Sequence, residues 1–173
     1  MKIMKRITLI LIILQVAITF LLVSCSNSNF LTYEHENPQY SIDYPENWSV
    51  ETGEDLLATE PPVLLVAPSP QLGRVAIAVI KDNKLSPDQI TAGSELIFQR
   101  MLQDFTITRK EGKTERWDWS FEGRSKAETN DDVFVFGYYK QRGNYLYKIE
   151  GMADSTIWND SIIDKIVSSF KLL

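Results

Sequence analysis

The residues that could do acid–base, nucleophilic or metal chemistry in this 173-residue chain are few and scattered. The one histidine, His35, lies in Glu34-His35-Glu36, and the one cysteine, Cys25, in Val23-Ser24-Cys25-Ser26. Serine and cysteine nucleophiles of the common kind need a positioned base, and His35 is the only imidazole on offer. In an extended segment its two flanking carboxylates point one way and the ring the other, a poor geometry for a shared metal. The expected role of Glu34 to Glu36 is a solvated, charged strand end. Asp131 and Asp132, with Glu128 and Asn130, could gather oxygens for calcium or another hard cation. They lack the EF-hand spacing and its glycine, so a solvated hairpin loop is the plainer reading, with Asp131 and Asp132 left as the metal candidates. There is no glycine-rich phosphate loop and no HExxH pattern. No cofactor is implied, and no residue is singled out as catalytic.

Cys25 has a different chemistry. Met1 to Ser24 carries Lys2, Lys5 and Arg6, then the run Ile7 to Val23, whose only polar residues are Thr8, Gln15 and Thr19. A charged start followed by an apolar stretch is the pattern of an export signal. The run is slightly short for a membrane span; an uncleaved anchor is the alternative. Leu22-Val23-Ser24-Cys25 resembles the lipobox of bacterial-type lipoprotein signals, in which the sulfur is acylated and the chain is cut just before the cysteine. The resemblance implies a signal peptide over 1–24, a lipidated tether over 25–29 and a single domain over 30–173. Each buried acyl CH₂ contributes about 0.8 kcal/mol, so two or more chains give stable attachment. A disulfide within the chain is excluded, because there is no second cysteine. The expected location is the cell membrane or outer membrane, lipid-anchored on the extracytoplasmic face.

Charge narrows the partners. The chain has a formal charge of −5, and loss of Lys2, Lys5 and Arg6 would make it −8. An acidic domain is unsuited to nucleic acid, whose affinity comes from cations on phosphate. It is equally unsuited to broad docking on anionic lipid.

The elements that must position these residues follow from periodicity. Phe30 to Glu34 and Tyr40 to Tyr44 alternate as half-buried strands, the second stopped by Pro45. Trp48 and Val50 continue an extended path, and Val63 to Ala67 and Val75 to Ile80 are two further strands. Ser86-Pro87-Asp88-Gln89 combines an N-cap, a proline at the first helical position and a capping-box glutamine. The helix it opens runs to about Asp104, with Ile90, Ile97 and Met101, flanked by Leu96, Phe98 and Leu102, predicted to pack on a sheet. Phe105 to Lys110, Glu115 to Glu122, Val133 to Arg142 and Tyr145 to Met152 are strand-like, with turn signals at Glu111-Gly112, Glu122-Gly123 and Arg142-Gly143-Asn144. Trp117, Trp119 and Phe121 fall on one face, and Val133 to Tyr139 is apolar on both faces, which predicts a sheet centre covered on both sides. Asp154 or Ser155 caps a last helix with a Trp158, Ile162, Ile166, Phe170 stripe. Runs of strands with two long helices give an α+β fold, an α/β/α sandwich around a central, mainly antiparallel sheet.

Tyr40-Ser41-Ile42-Asp43-Tyr44-Pro45-Glu46-Asn47-Trp48 resembles the early Tyr-x-Ile-x-Tyr-Pro-x-x-Trp signature of PsbP-like proteins. Ile166-Val167-Ser168-Ser169-Phe170 is similar to their terminal helix, and the element order agrees over roughly Phe30 to Leu173. The resemblance implies an α/β/α sandwich shared with a nuclear-import factor that binds the GTPase Ran. Photosynthetic members are extrinsic subunits of photosystem II, and many bacterial relatives are lipoproteins of unknown role. This chain has only Ser26 to Asn29 where plant members carry a basic, extended segment. What the resemblance implies is therefore a non-catalytic binding or accessory module for a membrane protein complex, of a non-photosynthetic kind. The competing expectation is an envelope small-ligand binder or hydrolase using carboxylates such as Glu34, Asp131 or Asp132, which requires a deep pocket with two convergent acids. Trp48, Trp117 and Trp119 are the interface candidates, since Trp is enriched at binding hot spots; on alternating positions they, with Tyr138, Tyr139, Tyr145 and Tyr147, are more often core and cross-strand pairs, and those that prove exposed are the better interface candidates. Asn47-Trp48-Ser49 and Asn159-Asp160-Ser161 are sequons, relevant where the host glycosylates exported proteins.

Overall fold

A computed structural model of the chain describes residues 29–53, 58, 60–69, 73–126, 132–159 and 161–173. Cys25, the 1–24 and 25–28 spans, Glu128, Asn130 and Asp131 lie outside the described residues. In chain order the elements are β1 (Phe30–Glu36), β2 (Gln39–Pro45), β3 (Ser49–Thr52), β4 (Val63–Val66), β5 (Gly73–Lys81) and α1 (Pro87–Met101). Then come β6 (Gln103–Glu111), β7 (Trp119–Lys126), β8 (Asp132–Arg142), β9 (Tyr145–Asp154), α2 (Ser155–Asn159), α3 (Ile162–Ser169) and β10 (Lys171–Leu172).

A seven-stranded sheet in the order β3-β4-β5-β9-β8-β7-β6 forms the middle layer, antiparallel throughout. Its two long central strands, β8 and β9, are joined by the tight Gly143-containing turn, where Gly143 has φ +54, a conformation that costs glycine nothing. Alternation then sorts their residues to two faces. One face presents Val75, Ile77, Phe136 and Ile149 to Ile163, Ile166 and Phe170 of the α3 segment and to Tyr40 and Ile42 of β2. The other presents Phe121, Val135, Tyr139 and Leu146 to Ile90 and Phe98 of α1. The result is the expected α/β/α sandwich, with the sheet centre covered on both sides. A second sheet, β1-β2-β10, joins the α3 layer, and the Ser169 hydroxyl accepts from the Asp43 backbone N–H at 2.7 Å.

Several details differ from the sequence-based expectations. Gly123 is not a turn but the middle of β7, opposite Ile107 and Val135; a Cβ there would meet Phe105 Cζ at 2.8 Å, so glycine serves packing. The last helix is two, α2 and α3, because Ser161 adopts φ 55, ψ 26 between them, a left-handed conformation that breaks the run. After α3 the chain returns as β10 and pairs Leu172 with Tyr40, which a two-residue strand gives no periodicity to reveal. Trp117 does not share a face with Trp119 and Phe121: it precedes β7, in a turn where its N–H donates to Thr114 Oγ1 at 2.9 Å, so strand alternation does not reach it. The N-cap alternative resolves to Asp154, which accepts from the Ile157 N–H at 2.9 Å.

Candidate docking site on the α1 face

Helix α1 is built to stay in place. Ser86 accepts from the Gln89 N–H at 3.3 Å and Gln89 Oε1 from the Ser86 N–H at 2.9 Å, so both halves of the capping box form. The inward row is Ile90, Ser94 and Phe98, four residues apart, with Thr91 beside it. This corrects the predicted stripe: Leu96, Ile97 and Met101 are 51%, 52% and 53% exposed. The reason lies beneath Ser94. Its hydroxyl donates to Glu150 Oε1 and lies 3.2 Å from the Tyr139 hydroxyl, which also donates to Glu150 Oε1. Lys148 Nζ lies 3.3 Å from the other oxygen, Glu150 Oε2. A buried carboxylate needs such partners, and a row with serine at its centre supplies one that Leu96 or Ile97 could not.

Gly137 makes the network possible. It lies opposite Glu150 in the β8–β9 register, and a Cβ at 137 would meet the Phe121 ring and, at 2.8 Å, the Tyr139 hydroxyl. The Tyr139 ring stacks on Trp119 at 5.1 Å and 13°. Burial pushes the Tyr139 phenol well above its ordinary value, and the adjacent Glu150 carboxylate adds to the shift. On the other face burial, then Glu122, pushes Tyr138 up to about 12. Trp119 Nε1 is buried without a hydrogen-bond acceptor among the described residues.

Beside α1 an open groove of about 530 Å³ is lined by Glu95 and Gln99 of the helix and by the six consecutive β6 residues Phe105 to Lys110. Among the described residues its one lining carboxylate is Glu95.

The sequence-derived candidates fall elsewhere. Trp48, Trp117 and Trp119, the interface candidates, are 6%, 6% and 9% exposed, which is the burial expected of the core alternative: Trp117 packs on Phe170 at 5.6 Å and on Tyr138 at 5.5 Å. His35 stacks on Tyr40 at 4.8 Å and 7°, with Nδ1 3.1 Å from the Pro38 carbonyl and Nε2 3.8 Å from Glu60. Glu34 and Glu36 are exposed. Of the two metal candidates, Asp132 forms an ion pair with Lys126, whose hydrogen bond lowers its pKa; Asp131 is outside the described residues. No group of three metal-ligating side chains gathers among the described residues. Asn47 and Asn159 are exposed. Sequence reasoning missed Ser94, Lys148 and Glu150. The one signal for Lys148 and Glu150 was charge inside the Tyr145 to Met152 strand, on the face where Leu146 and Met152 are apolar; Ser94 gave none.

Neither a family model nor a curated protein sequence matches the chain. Solved structures do. The chain is similar to cyanobacterial PsbP (CyanoP) from Synechocystis sp. PCC 6803, with a TM-score of 0.62 at 11% identity over 87% of this chain and 96% of that one. It is also similar to the Ran-binding protein Mog1p of Saccharomyces cerevisiae, with a TM-score of 0.55 at 6% identity over 84% of this chain and 96% of that one. The fold is PsbP-like.

Proposed function

We propose that this PsbP-like chain is a lipid-anchored, extracytoplasmic accessory module that docks on a membrane protein complex and does no catalysis of its own. The observation that carries the reading is α1: one face is locked to the sheet through Ser94, and the outward Leu96, Ile97 and Met101 are each more than half exposed. Apolar side chains grouped on the outside of one helix mark interaction surfaces. The tether supports it. From Cys25 to Asn29 is five residues, which at about 3.4 Å per residue reach ~17 Å at most, so an acylated Cys25 holds the domain against the bilayer, within reach of membrane-embedded partners. The fold is compatible: Mog1p, which shares it, is a Ran-binding protein.

The test is affinity capture of the native protein from gently solubilised membranes of its host, with Cys25→Ala as control and mass spectrometry of both bait and prey. The expected result is an acylated Cys25 and a recurrent membrane complex that is depleted in the control. An unmodified Cys25 in the mature protein would remove the tether, and native protein that emerges alone would remove the docking role.

A further inference from the structure

Strand β6 is the outermost strand of the seven-stranded sheet, with β7 along one edge and no strand along the other among the described residues. The free edge of such a strand presents backbone N–H and C=O groups that template one more strand. The 530 Å³ groove lies along β6 from Phe105 to Lys110, and its far wall is α1 through Glu95 and Gln99, one helical turn apart. A strand edge faced by a helix is the arrangement that captures extended peptides by β-augmentation, where main-chain hydrogen bonds give affinity and alternate side chains give specificity.

Charge narrows what kind of segment fits: the helix wall carries Glu95, and the β6 wall carries Arg109 and Lys110. Arg109 is engaged by Glu111 and Glu122. Lys110, exposed and lining the groove, has no ion pair among the described residues. Ile107 is half-buried on the groove side, opposite Gly123. The β6–β7 register shifts between Gln103 and Thr106 and again between Ile107 and Arg109; such bulges limit how far an edge can be extended. Building on the docking role proposed above, we propose that this groove binds a short extended segment of the partner protein, added to β6 as an eighth strand, with an apolar residue over Ile107 and an acidic residue against Lys110.

The test uses the full-length, detergent-solubilised protein and a displayed library of random nonapeptides. Selected peptides are expected to carry an acidic residue among alternating apolar ones and to slow amide exchange along β6. They should bind about tenfold more weakly to Lys110→Glu, a surface charge reversal. Thr108→Pro, which removes a backbone donor from β6 together with the Thr108 hydroxyl bond to the Glu122 carbonyl at 3.3 Å, should abolish binding. Absence of enrichment, protection elsewhere in the domain, or undiminished binding to Lys110→Glu overturns the proposal. Capture from host membranes separates the two readings. If Lys110→Glu and Thr108→Pro retain the complex that the native protein captures, the docking role stands and this groove is not its seat. If the native protein captures nothing while peptides protect β6, the groove is retained and the accessory role falls.

Discussion

At the scale of single residues, the most consequential side chain is Tyr139, and its place depends on what Gly137 lacks. With no Cβ at 137, the phenol leans over its own strand and donates to Glu150 across the β8–β9 pair, beneath Ser94. Tyr139→Phe leaves the ring and its stack on Trp119 but removes one donor from a buried carboxylate, so it should cost about 1–3 kcal/mol at pH 8 in denaturant unfolding. The pH dependence carries a second signature. Folding raises the Tyr139 pKa, chiefly by burial and then through Glu150. The stability this contributes is complete below the unfolded phenol's pKa of about 10 and is lost as pH rises above it, because the unfolded chain gives up a proton that the folded one keeps. The wild-type protein should therefore lose about 1.4 kcal/mol more per pH unit than Tyr139→Phe above pH ~10. Thermal melts from pH 9 upward check this, and parallel curves would mean that the phenol is not held as described. None of this was legible beforehand: a tyrosine, a glycine and a glutamate on two strands become a site only once the register is known. Strand alternation does separate the His35 ring from the exposed Glu34 and Glu36, but the ring is half-buried against Tyr40 rather than part of a solvated strand end.

Among the elements, legibility followed local signals. The start of α1 was written in Ser86-Pro87-Asp88-Gln89, and all its caps form. Its inward face was not, because the Ile90-Ile97-Met101 and Ile90-Ser94-Phe98 rows share a residue, and hydrophobicity alone ranks the wrong one first. Buried hydrogen bonds to Ser94 decided the matter. The α2–α3 break was invisible for the opposite reason: Trp158, Ile162 and Ile166 keep helical spacing through it, and only a backbone angle at Ser161 shows the change. A non-glycine residue in that region costs on the order of 1–2 kcal/mol. Ser161→Gly should accordingly leave the fold intact and raise stability by up to about 1 kcal/mol, after allowance for the greater freedom of glycine in the unfolded chain. Chemical denaturation gives the number, and a loss of more than that amount would show that the Ser161 side chain makes a contribution the backbone argument omits.

For the molecule as a whole, the decisive feature is that one sheet serves two separate cores. The apolar group under α3 and β2 and the group under α1 share no residue, and the sheet that divides them is hydrogen-bonded from β3 to β6. The sequence announced this layering through Val133 to Tyr139, apolar on both sides, and Trp117 and Trp119, two residues apart, then went to opposite cores. Packed layers lie about 10 Å apart, so the backbones of α1 and α3 are separated by roughly twice that, and Ile90 and Ile166 pack in clusters with no common member. Ile90→Ala, in the α1 core, should cost about 2–5 kcal/mol, and Ile166→Val, in the α3 core, about 0.5–1.5 kcal/mol. In the double variant the two losses should add to within about 0.5 kcal/mol. Equilibrium unfolding of the four proteins in the cycle measures the remainder. A coupling above about 1 kcal/mol would mean that the sheet passes strain from one core to the other. Additivity would mean that the α1 face can be remodelled, by evolution or by a bound segment, without disturbing the side that carries β1, β2 and β10.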